Sequence, residues 1–418
     1  MFDKLFRGPP PLVFEFWDGS ELGSGGPGRI TLRSPDALRR IMWSPDELGI
    51  ARAFVTGELN AEGDVATVLR TLQQAMPSER RIAIRALPEV LAVTRSLGGI
   101  GKPPPPPPEE IVPRGIRHSL QRDKETVGHH YNTGNDFYRL VLGPSMTYSC
   151  ARFTSADPTL EEAQEAKHEL VCRKLGLREA SSDYEALGRR KRILDVGCGW
   201  GSMAIHAATN HDVDVVGVTL SEEQAMYTRR RVDDLGLGDH IDIRVQDYRE
   251  INDGPFDAIS SIGMAEHVGK KQMTRYFEQL YGMLRPGGRL LNHAISSVGG
   301  SRLARRGFMN RYVFPDGELL DVGMTALFME IAGFEVRDVE NLREHYARTL
   351  RQWVTNLEDN WDDAVKLVGE TRARIWILYM SGSINGFEDG GIQLNQTLGV
   401  RPHSDGRSDM PLTRSSWG

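Results

Sequence analysis

The chain has 418 residues, of which 39% are hydrophobic and 26% charged, and a formal net charge of -6. That composition fits a globular protein of two or three domains, and the acidic balance argues against wholesale nucleic-acid binding while leaving room for local basic patches. Cys150, Cys172 and Cys198 are too few and too widely spaced for a disulfide framework or a Cys-x-x-Cys site, so no metal is expected and a reducing, cytoplasmic setting is. No run of about 20 apolar residues would span a bilayer, and "MFDKLFRGPPP" lacks the apolar core and cleavage site of a signal peptide.

Residues 1–101 read as a small α+β domain. "LVFEFWDGSEL" and "GRITLRS" alternate like strands, whereas "PDALRRIMW" and "GDVATVLRTLQQAM" place apolar residues at helical spacing. "SERRIAIRALPEVLAVTRSL" carries Arg80, Arg81, Arg85 and Arg95 among apolar residues. It reads equally as a basic amphipathic helix for an anionic membrane surface and as a helix with an ordinary solvated face. The prolines from Pro103 to Pro108 favour an extended, semi-rigid conformation, so residues 102–116 read as a linker.

From residue 190 the pattern changes. "RILDVG", "VDVVGVTL", "IDIRVQ", "FDAISSI" and "GRLLNHAI" are short apolar runs, separated by helical stretches such as "SEEQAMYTRRRVDDLG" and "KKQMTRYFEQLYGMLR". Alternation of this kind predicts an α/β domain with a mostly parallel, doubly wound sheet covered on both faces. The end of the chain, residues 396–418, closes in a polar, aperiodic stretch and reads as a flexible tail.

The first of these strands runs into "LDVGCGWGS", where Gly197, Gly199 and Gly201 form G-x-G-x-G just after Asp195. Glycines there allow a tight turn and a close backbone approach, and the helix beyond offers free N–H groups. The spacing differs from the G-x-G-x-x-G of dinucleotide binders. It resembles the S-adenosylmethionine loop of class I methyltransferases, whose backbone faces the amino-acid part of that molecule. In many class I enzymes a carboxylate at the end of the second strand holds the ribose. Here Thr219, Leu220 and Gln224 of "TLSEEQ" stand at that place, and the hydroxyl and amide can bond ribose hydroxyls without charge. Ser221 is the better helix cap, with Gln224 three residues on to close a capping box. Asp247 and Tyr248 follow the third strand, where such sheets hold adenine. All three loops end at the carboxyl edge of a parallel sheet and so face one crevice.

The fourth strand delivers "GMAEHVG", residues 263–269, to the same crevice. Together with "HHYNTGNDFYRLVLGPSMTYSCARF" (129–153), "NHAISS" (292–297) and "EHYARTLRQW" (344–353), it resembles the cyclopropane fatty acid synthase family, which includes the mycolic acid cyclopropane synthases. The resemblance covers about residues 117–390, within an expected Rossmann-like methyltransferase domain over 117–395. The N-terminal part, with "ARAFVTGEL", looks like the extra domain of the phospholipid-acting members. It implies transfer of a one-carbon unit from S-adenosylmethionine to the cis double bond of an acyl chain. An unactivated alkene is a poor nucleophile, so the sulfonium must be held in line with it. The carbocation left by methyl transfer then loses a proton to bound bicarbonate as the ring closes.

The resemblance also implies the bicarbonate site: Cys150, Glu266, His293, Ile295 through its backbone, and Tyr346. Glu266 beside an anion makes sense if it accepts the bicarbonate proton. Tyr148 and Ser149 match residues lining the cofactor, and His129, His130 and Tyr131 match a helix covering it. His267 is expected to serve structure, and Cys172 and Cys198 to pack. Arg302, Arg305, Arg306 and Arg311, mixed with Phe308, Met309, Tyr312 and Phe314, suit an acyl-channel rim near head groups. Tyr312 and Phe314 have rings able to shield a cation. The implied partner is an unsaturated phospholipid at the inner face of a membrane, met peripherally; a homodimer is expected from the larger family members. Three rival readings stand beside this one. The same transfer ending in an exo-methylene chain would need a separate reductase. The others are a small-molecule methyltransferase and a non-catalytic lipid binder.

Overall fold

A computed structural model of the chain describes residues 9–23, 25–75, 95, 101–112, 115, 122, 134–177, 188–301, 303–304 and 306–416. The first elements are β1 (Val13–Phe16), β2 (Glu21–Leu22), β3 (Arg29–Leu32), α1 (Pro35–Trp43), α2 (Glu47–Val55), β4 (Leu59–Glu62) and α3 (Val65–Ala75). Helices α4 (Asn135–Leu142) and α5 (Leu160–Lys174) precede a run of alternating strand and helix. That run is β5 (Arg192–Val196), α6 (Ser202–His211), β6 (Asp214–Thr219), α7 (Glu222–Asp234), β7 (Ile241–Val245), β8 (Phe256–Ile262), α8 (Ala265–Val268), α9 (Met273–Met283) and β9 (Leu284–Ser297). The chain closes with β10 (Leu320–Asp321), α10 (Val322–Ile331), β11 (Glu335–Asn341), α11 (Arg343–Asp359), α12 (Trp361–Val368), α13 (Glu370–Glu388) and β12 (Ile392–Val400).

The described residues gather into two compact units that are not consecutive blocks of sequence. The smaller takes Met1–Val112, Ala304–Pro315 and Leu357–Asn385; the larger takes Pro113–Leu303, Asp316–Asn356 and Gly386–Gly418. In the smaller unit a sheet of order β2-β1-β3-β4 turns Phe14, Phe16, Ile30 and Leu32 inward at every second residue. Ser34 caps α1, and Pro35 occupies its first position, where a missing N–H leaves nothing unsatisfied.

Late segments complete this unit, which local pattern cannot reveal. The buried Arg374 guanidinium lies 4.5 Å over the Phe54 ring and donates to the Phe54 and Leu59 carbonyls at 2.6 and 2.8 Å. Tyr312 is buried and its hydroxyl donates to Glu110, which Arg52 grips with two N–H groups. Phe308 stacks on Tyr312 at 5.3 Å, and Phe314 meets Tyr379 edge-on at 5.6 Å. Phe308 and Tyr312 are therefore packed side chains of the smaller unit. The proline run packs within the smaller unit, whose first segment ends at Val112 inside the stretch read as a linker. Arg40, paired with Glu58, donates to the Pro105 carbonyl at 2.8 Å, and the Trp43 indole donates to Gly101 at 3.0 Å, so the run is fastened to α1. His129, His130, Tyr131, Arg80, Arg81, Arg85, Arg302 and Arg305 lie outside the described residues.

The larger unit is built on a sheet of order β11-β12-β9-β8-β5-β6-β7, with β10 beside β9. β5 through β9 pair in parallel, and β12 inserts antiparallel to both β9 and β11. The five apolar runs of the sequence are β5 to β9. Ile193, Val215, Ile243 and Ala258 face α6, while Leu194, Val196, Val216, Val218 and Ile259 face α9, as the strand period of two requires. Each such valine, leucine or isoleucine stabilises the fold by about 1.5–3 kcal/mol. Residues 396–400, read as tail, belong to β12, where Gln396, Leu398 and Val400 are buried. Beyond them Arg401 exchanges backbone bonds with Gly287 and Gly288, and Arg414 pairs with Asp338 at 2.8 Å. Buried Asn395, Gln396 and Thr397 deprive β12 of an apolar signature, which is why sequence reading passes over it.

Candidate active site

The chain lays down β5, β6 and β7 in one direction and returns to place β8 on the far side of β5. Open parallel sheets bind ligands at such a reversal, beyond the carboxyl ends of the strands. There a cleft enclosing about 1230 Å³, mouth included, is lined by Tyr148, Ser149, Asp195, Gly197, Gly199, Thr219, Leu220, Gln224, Asp247 and Tyr248. These are ten of the eleven positions expected to face the cofactor. Gly201 is the exception: it caps α6 from behind the turn with φ +78°.

A Cβ on Gly201 would sit 2.1 Å from Thr228 Cγ2, and the Thr228 hydroxyl is tethered to the Gln224 carbonyl at 2.8 Å, so the neighbour cannot easily rotate. Gly201→Ala is expected to cost about 2–4 kcal/mol from the left-handed backbone and the overlap together. Urea unfolding measures it, and an unchanged midpoint would mean that the turn has slack.

Asp195 is buried and accepts from the Ser260 hydroxyl of the neighbouring strand at 2.7 Å through Oδ1; its Oδ2 has no partner. Burial pushes its carboxyl up to about 6 against the Ser260 bond and the Lys167 charge. Thr219 donates to the Gln224 side-chain oxygen at 2.8 Å, while Ser221 caps α7 by accepting from Gln224 N. The Gln224 side chain is thus turned to Thr219 and leaves the expected reciprocal capping box. Asp247 is gripped by the Arg249 guanidinium at 2.8 and 2.7 Å, and Tyr248 stands edge-on to Tyr276. His267, expected to serve structure, lines the cleft with Met264 and Val268.

Sequence reading missed Lys167. Leu160, Ala163, Gln164, Lys167, Leu170, Val171 and Lys174 are all buried, so Lys167 occupies the core stripe of α5, and that register was the available signal. Its ammonium donates to Ser149 Oγ at 3.0 Å on the cleft wall, and burial lowers it to about 7.

The five residues expected around bicarbonate are not part of this lining and are joined to one another through a run of neighbouring bonds. Glu266 and His267 are neighbours on α8, so their side chains diverge by about 100°. Glu266 turns away from the cleft and accepts from Ile295 N at 2.7 Å through Oε1; its Oε2 is buried without a partner. Burial pushes the carboxyl up to about 7, against that backbone bond. His293 is buried, which drives its imidazole well below the usual histidine range. The Gln396 amide nitrogen stands 3.2 Å from His293 Nδ1, which assigns the ring hydrogen to Nε2, and Nε2 has no partner. Ile295 pairs with Leu394, whose carbonyl takes Leu342 N at 2.8 Å. The Leu342 carbonyl accepts from Tyr346 N at 3.1 Å and lies 3.7 Å from Cys150 Sγ. Cys150 is fully buried and its thiol is pushed up by desolvation. The group also abuts the cleft, since the His293 carbonyl takes Gly263 N at 2.8 Å and Gly263 lines it.

A parallel sheet with this reversal, a glycine turn at its switch strand and a cleft across the next two strand ends belong to the class I, S-adenosylmethionine-dependent methyltransferases. More narrowly, the family model described as mycolic acid cyclopropane synthetase matches residues 118–397, and the chain belongs to that family. It is 43% identical over 419 residues to "Probable fatty acid methyltransferase Rv3720" of Mycobacterium tuberculosis, covering 97% of this chain and 94% of that one. It is 31% identical over 391 residues to the cyclopropane-fatty-acyl-phospholipid synthase of Escherichia coli K12, covering 93% and 92%. The crystal structure of mycolic acid cyclopropane synthase CmaA1 complexed with SAH and CTAB superposes with a TM-score of 0.60 at 33% identity, covering 66% of this chain and 98% of that one. The protein is an enzyme that transfers methyl from S-adenosylmethionine to lipid acyl chains. Among the described residues no helix is long and apolar enough to cross a membrane.

Proposed function

We propose that the product is a cyclopropane fatty acyl chain, formed on an unsaturated phospholipid that the enzyme meets at a membrane surface, with bicarbonate as the bound base. One observation carries the reading. Glu266 Oε2 and His293 Nε2 are buried polar atoms without partners, and each such atom costs about 1–3 kcal/mol until satisfied. One is an acceptor when ionised and the other a donor, which suits an ion that has one hydroxyl and two oxygens sharing a single negative charge. Glu266, His293, the Ile295 backbone, Cys150 and Tyr346 would hold it. Bicarbonate bound there supplies a weak base for a proton of the transferred methyl.

The chain's residues divide the rest of the work. Asp195 Oδ2 and the Lys167 ammonium present opposite charges from one cleft wall and suit the zwitterionic end of S-adenosylmethionine, its ammonium to Asp195 and its carboxylate to Lys167. Thr219 and Gln224 take the ribose hydroxyls, and Asp247 and Tyr248 border adenine. The alkene π pair forms the new C–C bond as the S–CH3 bond breaks, leaving a cation on the adjacent carbon. Loss of a methyl proton frees its C–H pair to close the ring on that carbon. Ile295 N fixes one Glu266 oxygen, so the other stays directed as an acceptor. Cys150, kept as a thiol by burial, does not compete for the methyl as a thiolate would.

The exo-methylene outcome is the second reading, favoured by the 43% identity to a chain named as a fatty acid methyltransferase. Both products have the same mass. Incubation with labelled S-adenosylmethionine and unsaturated phosphatidylglycerol vesicles, followed by NMR of the extracted chains, separates them. Ring-methylene resonances are expected, with turnover that falls in bicarbonate-depleted buffer and recovers on addition. Vinylidene resonances would select the second reading, and indifference to bicarbonate would remove the base assigned here.

A further inference from the structure

Between α5 and α6, side chains of the two helices meet in a cluster with no part in the chemistry above, beside His168, whose ring lies 5.5 Å from that of His206. Cys172, His206 and His211 bring a sulfur and a ring nitrogen of each histidine to within 4.8 Å of one another. Glu169 joins them: its Oε2 lies 2.9 Å from His211 Nε2 and 3.4 Å from His206 Nε2. Cys172 and His211 are buried, and His206 is 10% exposed. The sequence spacing is Glu-x-x-Cys on one helix and His-x4-His on the next. Structural zinc sites use the same arithmetic, two ligands about three residues apart followed by two histidines separated by three to five residues.

From these residues we propose a structural Zn²⁺ site formed by Glu169, Cys172, His206 and His211, independent of the catalytic reading. The distances fit an ion as well as they fit a hydrogen-bonded cluster, so binding decides between them. Tetrahedral zinc with bonds of about 2.0–2.1 Å to nitrogen and oxygen separates those ligands by about 3.3 Å. The two carboxylate–imidazole separations of 2.9 and 3.4 Å already bracket that value. The thiol must swing inward by side-chain rotation, and it loses its proton on binding. Glu169 Oε1 is held by Arg173 at 2.7 Å, which leaves Oε2 to the metal and orients it. The Glu169 side chain is 31% exposed, so the site opens to solvent through it. The set supplies four protein ligands with no open position, the pattern of structural rather than catalytic zinc. Because Lys167 and His168 on α5, and Ser202 and Met203 on α6, line the cofactor cleft, the ion would clamp two of its walls together.

The test uses the full-length protein, stripped with chelator and then titrated with Zn²⁺ or Co²⁺ alone. One equivalent of Zn²⁺ is expected to bind and to raise the melting temperature by roughly 5 °C at a hundredfold excess over Kd. The Co²⁺ form should show tetrahedral visible bands and a thiolate-to-cobalt charge-transfer band. Cys172→Ser should abolish that band and His211→Gln should weaken binding at least tenfold, while both variants keep the metal-free melting temperature within a few degrees. Absence of stoichiometric binding overturns the proposal. So does an octahedral cobalt spectrum, or a band that survives in Cys172→Ser. If Cys172→Ser misfolds, His206→Gln and His211→Gln carry the same readout.

Discussion

Glu266→Gln is expected to lower kcat by about 10²–10⁴-fold, the span typical of a group that steers a proton in a transition state. The amide keeps an oxygen for Ile295 N, so affinity for S-adenosylmethionine should stay within about twofold of the parent. The same substitution should stabilise the protein at alkaline pH. Burial raises the folded Glu266 carboxyl to about 7 from an ordinary 4.5. Between those values the folded state holds a proton that the unfolded chain has released, so this group's contribution to stability falls as pH rises through the window and stays unfavourable above about 7. Glutamine removes that burden, and the variant should melt higher than the parent at pH 8. Lost turnover with gained stability marks a residue kept for function. Parallel loss of activity, cofactor affinity and melting temperature would make Glu266 a structural residue instead. In the parent, kcat should decline as pH falls below about 7, because only the carboxylate can accept.

Lys167→Met tests the counter-ion role. Methionine fills the space and removes the ammonium, and loss of a charge-assisted bond should weaken S-adenosylmethionine binding about 10–100-fold at pH 7. The pH dependence separates this role from packing. Desolvation lowers the folded ammonium to about 7 from 10.5. Above about 7 the ligand-free enzyme carries a neutral amine that must take up a proton to meet the carboxylate, so parent affinity should fall by up to about tenfold per pH unit. The variant should bind weakly with no such slope. For stability the sign is opposite to that of Glu266: from about 7 to 10.5 the unfolded chain holds the extra proton, so the Lys167 contribution improves as pH rises. Isothermal titration from pH 6 to 9 checks the binding claim. Equal slopes in parent and variant would detach Lys167 from the cofactor.

The amino-acid sequence by itself determined the parallel core and its ligand edge. β5, β6, β8 and the second half of β9 are buried on both faces, so they read as apolar runs, edge strand β7 alternates buried and exposed residues, and the glycine turn after Asp195 needs backbone angles that few other residues adopt. Strand-end spacing likewise placed Thr219, Gln224 and Asp247 on one cleft, and the family resemblance added Tyr148 and Ser149 to it. Tertiary structure decided what depends on partners remote in sequence. It inserted the polar strand β12 into the sheet and drew Ala304–Pro315 and Leu357–Asn385 into the unit begun by the N-terminus. It buried Lys167 against Ser149, left Glu266 Oε2 and His293 Nε2 without partners, and gathered Glu169, Cys172, His206 and His211 between two helices. The physical reason is common to all of these. Apolar burial and turn geometry are written in neighbouring residues, whereas the pairing of a buried polar group is set by whichever distant side chain the fold brings within about 3 Å.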